Sequence, residues 1–432
     1  MPRRLRPAAQ DVSFLVFLVA VVLSLLRARD LPSVEVSAGG ADVSIGPVDL
    51  ALVATGLLAL WRLRTTRRLT SRPLVLASGA FAVLLVVSAL PNGADALTSA
   101  GRLAELYALT LGAVVFVDSR ERLVMLLTVV VGFCVAAVSW GAIEFVTGGG
   151  GRQGSFMGEH DLAALGSLAL VVGLAIVHSG PGRTGTLAVV GVVAGGLAIA
   201  LGASLASLLG LYLAAGAVLA LAVARRSLRR GALLATLGVV VAVTAVTVTL
   251  RSGELGFLQE WFGPEPDRPG QYAASWSQRL IFAYVGGRVF LDNPVLGTGW
   301  HGELPAEEYE QYLPDARRRF PDQPEHYFGD LEGTFIPQQA YDQILYELGL
   351  VGAGLFVLIA VLAVREALRA GLRAPPRPPL LEHAFVPGGW LAGMAGALAG
   401  AALFGGSPLA SLFWLTVGVV AAIPLLVVEQ PP

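Results

Sequence analysis

The sequence predicts an all-α polytopic membrane protein, with about twelve transmembrane helices and one large extracytoplasmic loop between the ninth and the tenth. Three observations carry that prediction. Of 432 residues, 55% are hydrophobic and 14% charged, whereas a soluble domain has roughly 25% charged. Apolar runs long enough to cross about 30 Å of hydrocarbon follow one another along the chain. A single long polar interruption, at residues 251–340, separates the last of them from the rest.

Taken in order, the apolar runs occupy 12–26, 48–63, 73–90, 97–117, 123–146, 162–177, 186–201, 204–224 and 232–250, then 341–364, 385–404 and 408–428. This divides the chain into membrane helices over 1–250, an extracytoplasmic loop with short amphipathic helices over 251–340, and further membrane helices over 341–432. The first run is followed by Arg-Ala-Arg-Asp and not by a small-residue cleavage site, so no cleavable signal peptide is expected. Glycines between 191 and 202 suit close helix approach.

All 30 basic side chains are arginine. Their placement sets the orientation, because arginine concentrates on the cytoplasmic side. With MPRRLR inside, the segments RLRTTRRLTSR, DSRER, HSGPGRTG, ARRSLRR and REALRAGLRAPPRP all fall on that side. Both termini are then cytoplasmic. The segment GGGGRQGSFMGEHD, the turn near Gly202 and the 251–335 loop share the outer face. A net charge of -1 gives no sign of a nucleic-acid partner. The one cysteine, Cys134, excludes an internal disulfide and a CxxC metal site. No metal or cofactor is expected, and GGGG at 148–151 lacks the Lys-Ser/Thr and the strand of a nucleotide loop.

Within the polar interruption, 277–291 fits an amphipathic helix that Asp292, Asn293 and Pro294 stop, with a turn at Gly297 and Gly299. Arg279 shares a face of that helix with Ala283, Gly286 and Gly287, which leaves its guanidinium beside a surface with little side chain. A bulky anion can approach there. Arg288 lies on the far face and is expected to be structural.

The stretch RLIFAYVGGRVFLDNPVLGTGW resembles the Arg, then Asp/His-Pro-hydrophobic-Leu-Gly-x-Gly signature of the O-antigen ligase and polymerase superfamily of bacterial envelope glycosyltransferases. QQAYDQILYELGLVGAGLF is similar to that family's His-Asn-x-x-Leu-x-x-x-x-Glu-x-Gly-x-x-Gly, with Glu347, Gly349 and Gly352 matching. Upstream, RQGSFMGEHDLAALGSLAL resembles its Arg-x-x-Gly-x-Phe-x-x-Pro-Asn, and SLASLLGLYL its Ser-Arg-Gly-x-x-x-Gly-Leu. Three positions depart from the family. Gln338 stands where the functional histidine is usual, Leu205 where a second arginine is usual, and His160-Asp161 replaces Pro-Asn.

The resemblance implies transfer of a glycan from an undecaprenyl-pyrophosphate carrier to an acceptor hydroxyl at the outer face of the plasma membrane, by an inverting polymerase or ligase. The expected partners are that lipid-linked glycan, a glycan or lipid acceptor, and membrane lipid. Such a reaction needs positive charge on the departing pyrophosphate and a base near the acceptor. Arginine suits the first role because its planar fork can hold two phosphate oxygens. Arg279 is the first choice and Arg152 the second. For the base, the outer-face candidates are Glu159, His160 and Asp161 at a helix start, followed by His301 and His326. Against Asp161 stands its ordinary use as a helix cap. Gln338, Gln339 and Tyr341 are expected to bind substrate, and Gln338 cannot take a proton at neutral pH.

Other polar residues read as scaffold. His178 and His383 fall in cytoplasmic loops; Glu105 is expected to pair with Arg102 three positions earlier, and Glu144 to reach water. A transporter or flippase-like protein is the competing class, but its ionisable groups would concentrate at mid-bilayer, whereas these collect in outer loops. A catalytically degenerate homologue acting as an assembly partner is the third reading, motivated by Gln338 and Leu205.

Overall fold

Helix forms in every apolar run of the sequence, though not always to its end. The computed structural model describes residues 11–26, 32–38, 41–65, 72–148, 152–179, 185–250, 273–302, 306–328, 339–373 and 383–428. Each of the twelve apolar intervals carries helix, and seven helical stretches are long and apolar enough to cross a membrane. Val12–Leu25 and Pro408–Ile423 are shorter apolar helices. The chain is thus an all-α membrane protein in outline.

The stretch Arg72–Phe116 is a hairpin. At 45 residues it would reach about 67 Å if straight, far more than a bilayer's thickness. It reverses at the 3-10 turn Leu90–Asn92 and at Gly93, whose φ is 90°. The return is marked by Tyr107, whose hydroxyl donates to the Val75 carbonyl at 2.7 Å. The interval 97–117 is itself divided between the helices Gly93–Glu105 and Tyr107–Phe116.

The close approach expected of the glycine-rich run occurs between Glu159–Ser179 and Gly185–Gly202. A Cβ on Gly166 would lie 2.6 Å from that of Ala198, and one on Gly195 would lie 2.5 Å from the Gly166 carbonyl oxygen. Only glycine fits either place.

Two features depart from the sequence expectation. Residues Val34–Ala38 and Ala41–Ile45 form an antiparallel β-hairpin, registered Val34 to Ile45 and Val36 to Val43. The interval 385–404 is helical only over Val386–Leu398. Thirteen residues reach about 20 Å, too short to cross the hydrocarbon. Beyond it, 399–407 contains Gly400, Gly405 and Gly406 (φ 85°) and runs irregularly to the helix Pro408–Val428.

At one end of the bundle, arginines hold the helices together. Arg62 pairs with Asp11 at 2.9 Å and Asp118 at 3.1 Å, and buried Arg122 pairs with Asp11 at 2.8 Å. Close to the same end, Arg225 donates to the Gly371 carbonyl at 2.8 Å. The expected Glu105–Arg102 pair does not form. Arg102 donates instead to the Ser44 carbonyl of the β-hairpin at 3.0 Å, and the Glu105 carboxyl faces Asp49. Both histidines assigned to loops are buried, His178 against the Thr236 hydroxyl at 2.9 Å.

Candidate functional site

The other end of the bundle gathers the polar residues singled out from the sequence. The predicted amphipathic helix spans Ala273–Asp292. It buries Ile281, Phe282, Val285 and Val289 against Tyr309 and Tyr346, forming a small core separate from that of the bundle. Arg288 is structural as expected, pairing with Asp315 at 3.2 Å. The Tyr284 hydroxyl donates to the same carboxylate at 2.7 Å, and with Arg318 beside it holds Asp315 below the usual carboxylate range.

Beyond Asp292 the chain docks onto a break in the helix Ala340–Arg373. At Gly349 the backbone leaves helical geometry, with φ 59° and ψ -159°. The peptide groups freed there bond the loop: Thr298 N–H donates to Tyr346 O at 3.0 Å and Gly299 N–H to Glu347 O at 2.9 Å. In return, Leu350 and Val351 donate to Pro294 O and Val295 O at 2.9 and 3.1 Å. Gly297 and Gly349 face each other in this clasp, and a Cβ on Gly349 would lie 2.5 Å from Val295 O. Glu347, fully buried, accepts from the N–H groups of His301 and Gly302 at 3.2 and 3.3 Å. The matched Glu347 and Gly349 therefore hold the two signature segments together.

His301 sits at the end of this loop. Its Nδ1 lies 2.9 Å from the Gly299 carbonyl and 3.2 Å from the Asn92 amide nitrogen, and Asn92 also braces the loop through Thr298 O and Trp300 O. Arg279 is half-buried, with Nη2 3.5 Å from the Gly400 carbonyl. Arg152 forms an ion pair with Glu159 and donates through Nε to the Gly202 carbonyl at 3.3 Å. Asp161 caps a helix distant in sequence: Oδ1 accepts from Leu409 N–H at 2.9 Å, at the start of Pro408–Val428. His160 occupies the first turn beside it. Tyr341 uses its hydroxyl on the Ala395 carbonyl at 2.7 Å, and Gln339 is half-buried at the start of its helix. Gln338 and residues 251–272 lie outside the described residues, as does the side chain of His326.

What joins these residues is 399–407. Gly400 receives Arg279 and packs on Ala206, one residue past Leu205. Ala401 O accepts from Ala340 N–H at 3.1 Å. The Gln343 amide grips both backbone groups of Leu403, at 2.9 and 3.1 Å. Two residues beyond the end of the segment, Leu409 N–H meets Asp161. All four segments that carry the resemblance thus converge at one end. Residues 190–357 match the O-antigen ligase family.

That match supports membership of the O-antigen ligase superfamily, and with it a role in glycan assembly of the ligase or polymerase type. It takes in Leu205, Arg279, the glycine turn and Glu347, but stops short of Arg152 and the Glu159–Asp161 segment on one side and of 399–407 on the other. No curated protein matches the chain. Within the segment similar to O-antigen ligases, nothing in the sequence singled out Asp342. Its carboxylate lies against Gly286, where a Cβ would be 2.7 Å from both oxygens. Gly286 and Asp342 are far apart in sequence, so spacing held no signal of the pair. Glycine on Arg279's face was the one available hint.

Proposed function

We propose that this protein transfers a glycan from an undecaprenyl-pyrophosphate-linked donor to an acceptor hydroxyl at the outer face of the plasma membrane, acting as a polysaccharide polymerase or ligase. The observation that carries the proposal is the setting of Arg279. It lies in the segment matching O-antigen ligases, on a helix face with Ala283 and Gly287, where a Cβ at Gly287 would meet nothing within 4 Å; Gly286 on that face is buried under Asp342. An open, small-residue surface beside a guanidinium admits a pyrophosphate and its bulky substituents.

In this reading Arg279 holds the leaving pyrophosphate and stabilises the charge that accumulates as the anomeric bond breaks. Arg152, at the same end, is already paired with Glu159 and ranks behind it. The test is transfer by purified protein in lipid, with undecaprenyl-pyrophosphate oligosaccharide as donor. Arg279→Ala is expected to lower the rate about 100-fold or more, equivalent to about 3–4 kcal/mol of transition-state stabilisation. Arg279→Lys is expected to recover little, because a point charge replaces the fork. Near-normal transfer by Arg279→Ala would move the donor role to Arg152.

A further inference from the structure

We infer that Asp342 is the general base of the transfer, taking the place of the histidine that Gln338 replaces. This rests on the glycosyl-transfer reading above. Two of the carboxylates named from the sequence are engaged elsewhere, Glu159 by Arg152 and Asp161 by the start of another helix.

Asp342 differs from them. It stands four residues after position 338 in the sequence, in the first turn of Ala340–Arg373. A first-turn aspartate ordinarily answers the free N–H groups of its own helix. The Asp342 carboxylate bonds none of them and turns across to Gly286. Among the described residues no hydrogen bond or ion pair engages it, although it is half-buried. An unpaired carboxylate withdrawn from water is costly unless something else completes it. A substrate hydroxyl would do so.

The spacing suits the chemistry. Gly286 follows Arg279 by seven residues, so the two positions lie on one face about 10 Å apart along the helix axis. Between them must fit the leaving phosphate, the anomeric carbon and the incoming oxygen. In the reaction the acceptor oxygen bonds the anomeric carbon as the bond from that carbon to the pyrophosphate oxygen breaks. The bonding pair leaves on the pyrophosphate beside Arg279. The hydroxyl proton passes to the Asp342 carboxylate and then to water. The titratable and charged groups nearest by element are Tyr346 and Glu347 on its own helix, and Arg279, Tyr284 and Arg288 on the facing one. The segment 399–407 contributes none.

The test compares transfer by the unsubstituted protein and by Asp342→Asn across pH, with thermal unfolding and binding of undecaprenyl pyrophosphate as controls. The Asn variant is expected to keep its fold and its lipid pyrophosphate binding, and to transfer about 100-fold or more slowly. Its residual rate should lack the decline toward low pH that protonation of a base produces, while Asp342→Glu retains that decline at a reduced rate. Should the Asn variant not fold, Gly286→Ala, which displaces the carboxylate, is expected to slow transfer while leaving lipid pyrophosphate binding intact. Transfer by Asp342→Asn within threefold of normal, or an acid decline that survives in it, overturns the assignment; so does normal transfer by Gly286→Ala. If the unsubstituted protein transfers nothing from a lipid-linked donor, the proposed function falls and this assignment with it. A loss confined to Arg279 variants leaves the function standing and removes Asp342 alone.

Discussion

At the scale of single residues, the candidates divide by what their polar atoms already touch. Asp161 accepts an N–H from Pro408–Val428, tying two helices that are distant in sequence. Removing that acceptor should destabilise the bundle as loss of a helix cap does, by about 1–2 kcal/mol. Asp161→Ala is therefore expected to melt at a lower temperature in detergent. Asp161→Asn, which keeps an acceptor oxygen, should retain both stability and transfer; loss of transfer at unchanged stability would restore Asp161 as a base. The sequence made the helix-start position and the capping chemistry legible, since Asp161 opens an apolar run. It held no record of which helix receives the cap, because that partner lies 248 residues away. Asp342 was hidden for the same reason. Its meaning comes from a missing side chain at Gly286, on another element.

At the scale of elements, apolar runs told where helix would form, because lipid-exposed backbone must satisfy its own hydrogen bonds. They did not tell where helix would stop. The end of the helix at Leu398 and the break at Gly349 both sit in apolar sequence, and at each the freed backbone groups find partners in other segments. The β-hairpin was equally invisible beside the dominant helical signal. The clasp at Gly349 makes a sharp prediction. Alanine there would hold a left-handed φ and press its Cβ on Val295 O, so strain alone should cost about 1–3 kcal/mol and the clash more. Gly349→Ala is expected to express poorly or unfold well below the normal temperature. Gly354→Ala, five residues on in the same helix with nothing within 4 Å of its added Cβ, should be neutral or slightly stabilising. Equal melting of the two would show that the clasp contributes nothing to the fold.

At the scale of the whole molecule, the two ends of the bundle have different chemistry. One is fastened by arginines shared between Asp11 and Asp118, the other by glycine turns and backbone groups around the candidate site, with the Arg288–Asp315 and Arg152–Glu159 pairs beside them. The positive-inside rule predicts that the first end faces the cytoplasm and the second the outside. Cysteine scanning checks this directly, because Cys134 is fully buried and should stay silent. A cysteine at exposed Glu307 is expected to react with a membrane-impermeant maleimide in intact cells. Reaction only after lysis would invert the orientation and remove the argument for an extracytoplasmic site. Arginine placement is the sequence feature on which this expected polarity rests, and several arginine-rich connections fall outside the described residues.

The segment 399–407 leaves its mark on heredity in an unusual way. Gly400, Ala401 and Leu403 meet Arg279, Ala340 and Gln343 through peptide groups alone. Every amino acid carries the same carbonyl, so many point changes at half-buried Ala401 would preserve its contact, whereas Leu403 is held by its buried side chain as well. What selection must guard is the count of residues between Leu398 and Pro408. A codon gained or lost there would offset every carbonyl from its partner at once, and would disturb Arg279 without altering any residue that a reader of the sequence would name.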